Sequence, residues 1–328
     1  MGCAAGSLGG RVGQLAWKTR PIYVSREHVG KGTKGCTRSV RMSGTTSESF
    51  TPTSDLNRVK VISLDITGTL LTFSHPVAET YAAAAVWAGL ENPPSASELK
   101  VAFKVGYKRA LERDPCFGAA SGRGSRAWWR MCISEVLRAC GREDYAEGDV
   151  DRYFRRVYQT FGAPSAYAVL DDALPFLDWA LDRGYGLGVT TNTPARTIDT
   201  VLPMMGLHDY FQWFASSGEF GAEKPDAVIY AAALSQARFW AAEGACLEPA
   251  NILHVGDHLA ADLCGARAFG MQSLLLDRSA NPLVENYSDW ILAPDYPGKS
   301  HADIHASTVR SLADVRARLE RAGSLLPS

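Results

Sequence analysis

No run of 18 or more apolar residues occurs in these 328 residues, so no transmembrane helix is expected and no membrane partner is implied. Cys-x-x-Cys pairs are missing as well. The seven cysteines (Cys3, Cys36, Cys116, Cys132, Cys140, Cys246, Cys264) form no even framework. That argues against structural zinc and suits a reducing compartment. A secretory signal is not expected, because no compact apolar core precedes a small-residue cleavage site. Met1-Gly2-Cys3 invites acylation, but Gly6 stands where the myristoylation pattern needs Ser or Thr. No internal repeat is visible. Charge of one sign is not in excess either, at 34 basic against 35 acidic residues.

That balance is uneven along the chain. Residues 1–50 carry eight Lys or Arg and only two acids, Glu27 and Glu48. The remainder is therefore acidic, and no nucleic-acid partner is expected. Residues 1–57 read as a basic, Ser/Thr/Gly-rich leader and polar linker, a transit peptide for mitochondrion or plastid, with a disordered cytoplasmic tail as the alternative. The whole chain is 46% apolar, ordinary for a globular protein.

What is present begins with VISLDITGTL, Val61–Leu70. An apolar run ends in Asp65 and a Thr67-Gly68 turn. Such a run reads as a central strand buried on both faces. An acid at the carboxyl end of a parallel strand lies where open α/β sheets bind ligands. Gly68 allows a tight turn and a close backbone approach. Three further pieces follow in order. YGLGVTTN ends in Thr191 and Asn192. SGEFGAEKPD carries Lys224. NILHVGD ends in Asp257, with Asp262 five residues on.

Between the first and second pieces the apolar spacing predicts helices over Ala78–Gly89, Ser97–Arg113, Arg126–Cys140 and Val150–Phe161. This is too much helix for a strand crossover, so residues 74–163 are expected to form an inserted helical cap. Residues 58–73 and 164–320 then make a doubly wound parallel α/β core, from helices Asp171–Arg183, Pro194–Met205, Asp226–Ala242, Ala260–Ala268 and Ser311–Ala322. The strands between and after them are Tyr185–Thr191, Trp213–Ala215, Ile252–Val255, Ser273–Leu276 and Trp290–Leu292.

These four motifs resemble those of the haloacid dehalogenase superfamily, and the match spans about Val59 to Leu319. The resemblance implies a Rossmann-like core with a helical cap. It implies that Asp65 attacks phosphorus, that Thr191 and Lys224 hold the phosphoryl group, and that Asp65, the Thr67 carbonyl, Asp257 and Asp262 bind Mg²⁺. Asp262 is either a further ligand or an acid orienting metal-bound water. Thr67, Gly68 and Asn192 are candidate substrate contacts, Asn192 equally a turn residue. Thr67 departs from the pattern. Most phosphatases of the superfamily carry a general-acid Asp there, a role Thr cannot fill at neutral pH. His75, Glu223 and His258 are candidates to supply the proton.

The expected function is a Mg²⁺-dependent phosphohydrolase acting on a small phosphorylated metabolite. Two alternatives stay open: a non-catalytic binding or assembly protein, and a metal-free 2-haloacid dehalogenase. Three features read as ordinary structure. His254 is taken as a buried neutral strand residue, Trp128-Trp129 as cap core, and the Lys100, Lys104, Lys108, Arg109 row as a solvated helix face. Oligomeric state is not written in the sequence.

Overall fold

A computed structural model describes residues 55–242, 244–279, 295–296 and 299–323. The leader and the strand expected at Trp290–Leu292 lie outside the described residues. Among the described residues six parallel strands form the core sheet: β1 (Val61–Leu64), β4 (Gly186–Thr191), β5 (Trp213–Ser216), β6 (Ile252–Gly256), β7 (Gln272–Leu276) and β8 (Thr308–Val309). Their order is β5-β4-β1-β6-β7-β8. Every residue of β1 is buried, as its unbroken apolar run requires.

The chain leaves β1 toward β4 on one side and later returns to β6 on the other. β1 and β6 are therefore the switch point, the place where such sheets open a crevice at their carboxyl ends. Alternation along the strands divides the core. Ile62, Leu64, Leu187 and Val189 face one apolar cluster. It holds Phe176 of α6 (Ala173–Asp182) and Val315 of α12 (Leu312–Gly323). Val61 and Trp213 face the other cluster, with Ile229 and Tyr230 of α9 (Ala227–Trp240).

The cap is helical: α1 (Val77–Trp87), α2 (Ala96–Arg113), the single turn α3 (Pro115–Gly118), α4 (Ser125–Ala139) and α5 (Glu147–Thr160). It has its own apolar cluster, centred on Leu99, Trp128, Ile133 and Tyr153. Ser95 caps α2 through a capping box: its hydroxyl accepts from the Glu98 amide, and Glu98 accepts from the Ser95 amide at 2.8 Å. Gly106 lets α2 lie against α4, because a Cβ there would meet the Val136 backbone at 2.5 Å. The two chain passages between core and cap pair as an antiparallel ribbon, β2 (Leu71–Phe73) with β3 (Tyr167–Val169). Three residues per strand are too few to show a period in sequence.

The helix expected over Pro194–Met205 is shorter and interrupted. A wide-pitch helical turn at Thr197–Val201 is followed by α7 (Leu202–Met204). Pro203 lacks the amide hydrogen that a regular helix would use there. Likewise Leu259–Cys264 is a wide turn before α10 (Gly265–Phe269). A short α8 (Ser217–Phe220) and α11 (His301–Ala306) complete the core. No described helix is long and apolar enough to cross a membrane.

Candidate active site

Asp65 follows β1 directly, its amide donating to the Val255 carbonyl at 2.9 Å. The side chain is nearly closed from solvent. Lys224 arrives from the loop between α8 and α9, and its Nζ donates to Asp65 Oδ1 at 2.8 Å, to Asp262 Oδ1 at 2.6 Å and to the Thr190 carbonyl at 2.8 Å. All three ammonium hydrogens thus have acceptors. Burial alone would lower the Lys224 pKa, but Asp262 and Asp65 outweigh it and raise it. The lysine stays charged.

Of the two readings of Asp262, a further ligand or an orienting acid, its surroundings fit the second. Its Oδ1 accepts from Lys224 and faces His254 Nε2 at 2.9 Å, and its Oδ2 accepts from the His258 amide at 2.8 Å. With 1% of the residue exposed, it lies beneath the cleft and holds Lys224. Burial works against its charge, yet Lys224 and His254 bring the carboxyl well below the usual range. Among the described residues no three His, Cys, Asp or Glu side chains converge to hold an ion by themselves.

Asp257, at the end of β6, behaves in the opposite way. It is exposed, yet protein surrounds it closely enough that desolvation, with the charges of Asp65 and Asp262, pushes it up to about 7. Its carboxylate packs on Gly68, which has φ +84°, and a Cβ on Gly68 would fall on that carboxylate. Only glycine combines this backbone conformation with that approach.

The remaining candidates divide. Asn192 is held by Lys224: its Nδ2 donates to the Lys224 carbonyl at 2.8 Å and its Oδ1 accepts from the Lys224 amide at 2.7 Å. Its amide therefore positions Lys224 rather than standing free for a substrate, although the residue lines the cleft. Thr191 is fully buried, and among the described residues its hydroxyl has no hydrogen-bond partner, as is also true of the Thr69 and Thr193 hydroxyls. Thr67 lines the cleft and makes a bridge to Leu71.

Of the candidate proton donors, His75 faces a separate surface hollow with Glu79 and Arg156. His258 Nδ1 accepts from the Ala261 amide at 3.2 Å, capping the turn that carries Asp262. Glu223 is half-buried, and burial raises its pKa.

Some of the site could not be read from the motifs. Ser63, Thr190 and His254 share one face of the sheet under Lys224. Ser63 Oγ lies 2.8 Å from Thr190 Oγ1 and 3.0 Å from His254 Nδ1. Burial lowers the His254 pKa, so the ring is neutral. Arg278 clamps the Asp65 loop by donating to the carbonyls of Gly68 at 3.1 Å and Thr69 at 3.0 Å. Asp172 holds Arg278 with both oxygens, at 2.9 and 3.0 Å. Asp172 stands just before α6, and its side chain serves Arg278 and the Leu312 amide.

A model of haloacid dehalogenase-like hydrolases matches residues 59–270. Haloacid dehalogenase-like hydrolase domain-containing protein 3 from Homo sapiens is 31% identical over 231 residues, 70% of this chain and 87% of that protein. The same-named protein from Danio rerio is 28% identical over 264 residues, 80% of this chain and 97% of that one. Among solved structures, a 2-haloacid dehalogenase from Pseudomonas syringae pv. Tomato DC3000 shares the fold with a TM-score of 0.52 and 21% identity, covering 80% of this chain and 99% of that one. The HAD-hydrolase YfnB from Bacillus subtilis, bound to magnesium, shares it with a TM-score of 0.51 and 18% identity, covering 80% and 99%. With its motifs on these strand ends and this family match, the chain belongs to the haloacid dehalogenase-like hydrolases.

Proposed function

We propose that this chain is a Mg²⁺-dependent phosphohydrolase working through an aspartyl-phosphate on Asp65. The observation that carries the reading is the charge of the floor. Lys224 is paired with Asp65 and Asp262, which leaves Asp257 without a cation of its own, and desolvation together with the charges of Asp65 and Asp262 pushes Asp257 up to about 7. Like charges this close favour a cation among them. Magnesium suits two carboxylates, a backbone carbonyl and water. Asp65, Asp257 and the Thr67 carbonyl would hold it. When bound, it supplies positive charge to the phosphoryl oxygens. A metal-free dehalogenase would leave the Asp257 charge uncompensated.

The chain's own residues divide the remaining work. Asp65 is oriented by Lys224 and by its backbone bond to Val255. One carboxylate oxygen attacks phosphorus as the bond to the ester oxygen breaks, and the departing oxygen takes its proton from water in the cleft. Water then attacks the phosphorus of the acyl phosphate and frees Asp65. Lys224 and the unpartnered Thr191 hydroxyl suit the equatorial oxygens, where charge gathers. A buried hydroxyl without a partner is unfavourable, and a phosphoryl oxygen would satisfy it. Thr67 donates no proton at neutral pH, which favours esters with good leaving groups.

The test is phosphate release over acyl, aryl and alkyl phosphates, with Mg²⁺ and with chelator. Release that needs Mg²⁺ and disappears in Asp65→Asn is expected. Full activity in excess chelator would overturn the metal assignment. No release from any of these esters would favour a binding role.

A further inference from the structure

The cleft above Thr67 and Asn192 continues into a cavity of about 780 Å³ between core and cap. That lies toward the upper end of the volumes that enclose drug-sized ligands. The core end offers Thr67, Asn192 and Thr193; the cap contributes rings, among them Tyr81, Phe103, Tyr107, Phe117, Trp129 and Phe154, together with the charged Glu79, Lys100 and Lys104. Several rings form a continuous wall: Phe103 and Tyr107 stack with centroids 5.6 Å apart, and Tyr107 and Trp129 meet at 6.0 Å. Phe117 is held in the left-handed backbone region, φ 58°, against Trp128 at 4.9 Å. That conformation is unfavourable for a bulky residue and persists only where its surroundings enforce it.

We propose that the substrate of this site is a phosphate monoester of a bulky, mostly apolar alcohol, a long chain or a ring system. Its phosphate meets the Asp65 floor and its body lies against the rings of the cap. This rests on the phosphohydrolase reading above. A small polar metabolite is a poor match. Its hydroxyls would face aromatic rings and lose hydrogen bonds to water without replacement. An apolar body removes itself and the wall from water together.

The rim fits the same ligand. Lys100 and Lys104 stand one turn apart on α2, flanking Phe103, and both line the cavity. Neither has an ion-pair partner among the described residues. They are thus not merely a solvated row: they set positive charge at the entrance to a site for an anion. Lys108, on the same helix, is engaged by Glu112 at 3.8 Å. Arg196 ties the wall to the core. Its guanidinium lies 3.7 Å from the Tyr158 ring centroid and donates to the Tyr158 carbonyl at 2.9 Å.

The n-alkyl phosphates from ethyl to octyl share one kind of leaving group, so chain length alone changes along the series. With Mg²⁺ present, kcat/KM should rise about fourfold per added methylene until the cavity is filled. Octyl phosphate should exceed glycerol 3-phosphate and glucose 6-phosphate. The non-hydrolysable n-alkylphosphonates, followed by calorimetry, should bind with the same trend. A flat or falling trend in both series, with acetyl phosphate still hydrolysed, would overturn the substrate class and leave the hydrolase reading standing. Phosphonate binding that rises with chain length, with no phosphate released from any ester, would keep the ligand class and overturn the hydrolase reading.

Discussion

The floor of the cleft and its roof are built on opposite principles. On the floor, almost every polar atom of Lys224, Asp262 and Asn192 has a named partner. The roof is a set of aromatic rings with two exposed lysines at its edge. A bonded, buried floor fixes geometry to the tolerance that phosphoryl transfer demands. An apolar roof selects by shape and burial, and it tolerates change more easily. Changes on the floor should therefore alter chemistry for every substrate. Changes in the roof should alter which substrate is preferred.

The sharpest way to break this contrast is Lys224→Met. It leaves Asp262 charged, 1% exposed and short of its main partner. Removing one member of a buried pair is destabilising by about 3–5 kcal/mol. The melting temperature should fall by roughly 10 °C, with activity lost on all esters. A melting temperature near wild type would show that the floor is less rigid than its bonds imply.

Thr67→Asp sharpens the contrast from the side of chemistry. Restoring a general acid should raise turnover on alkyl esters by up to about 10²-fold, and much less on acetyl phosphate. In the wild type, rates should fall steeply as leaving-group pKa rises. A shallow dependence would mean that another group already donates the proton, with Glu223 the first to substitute.

A roof substitution should be milder and selective. Phe103→Ala should raise KM for an octyl ester by about tenfold through lost apolar contact. The effect on acetyl phosphate, which cannot reach the ring wall, should be smaller. Equal effects on both esters would make Phe103 structural only.

The smallest effect concerns Glu223. Burial raises its pKa in the folded protein, so between the unfolded and folded values the native state holds a proton that the unfolded chain has released. Its contribution to stability therefore falls as pH rises through that window. Glu223→Gln should melt above wild type at pH 8, with the gap closing toward pH 4. A gap independent of pH would assign the effect to packing.

The parts of this site legible in sequence are those that depend on one short stretch each. An apolar run ending in Asp65 and another ending in Asp257 mark strand ends by their local pattern alone. Five of the described parallel strands and the inserted helices follow from apolar runs and spacing in the same way, whereas β8, only two residues long, leaves no such pattern. What stayed hidden depends on distant pairings. Arg278 meets Gly68 across 210 positions of chain, and no local pattern announces it. Asp262 looks like a ligand by its spacing from Asp257, yet its surroundings turn both oxygens to Lys224, His254 and the His258 amide. Lys100 and Lys104 line the cavity, whereas Lys108 pairs with Glu112 on its own helix, and the row of like charges in the sequence does not distinguish them. The β2–β3 ribbon has too few residues for a period, and its pairing is fixed by the return of the chain from the cap.

The central claim is that the floor performs covalent chemistry on Asp65. It is tested most directly by mixing the protein with acetyl phosphate and Mg²⁺, quenching in acid within milliseconds, and mapping the peptides by mass. The account predicts a phosphoryl adduct on the peptide holding Asp65, absent from Asp65→Asn and absent in excess chelator. Turnover that proceeds with no adduct at any quench time, or an adduct that persists in Asp65→Asn, would contradict it.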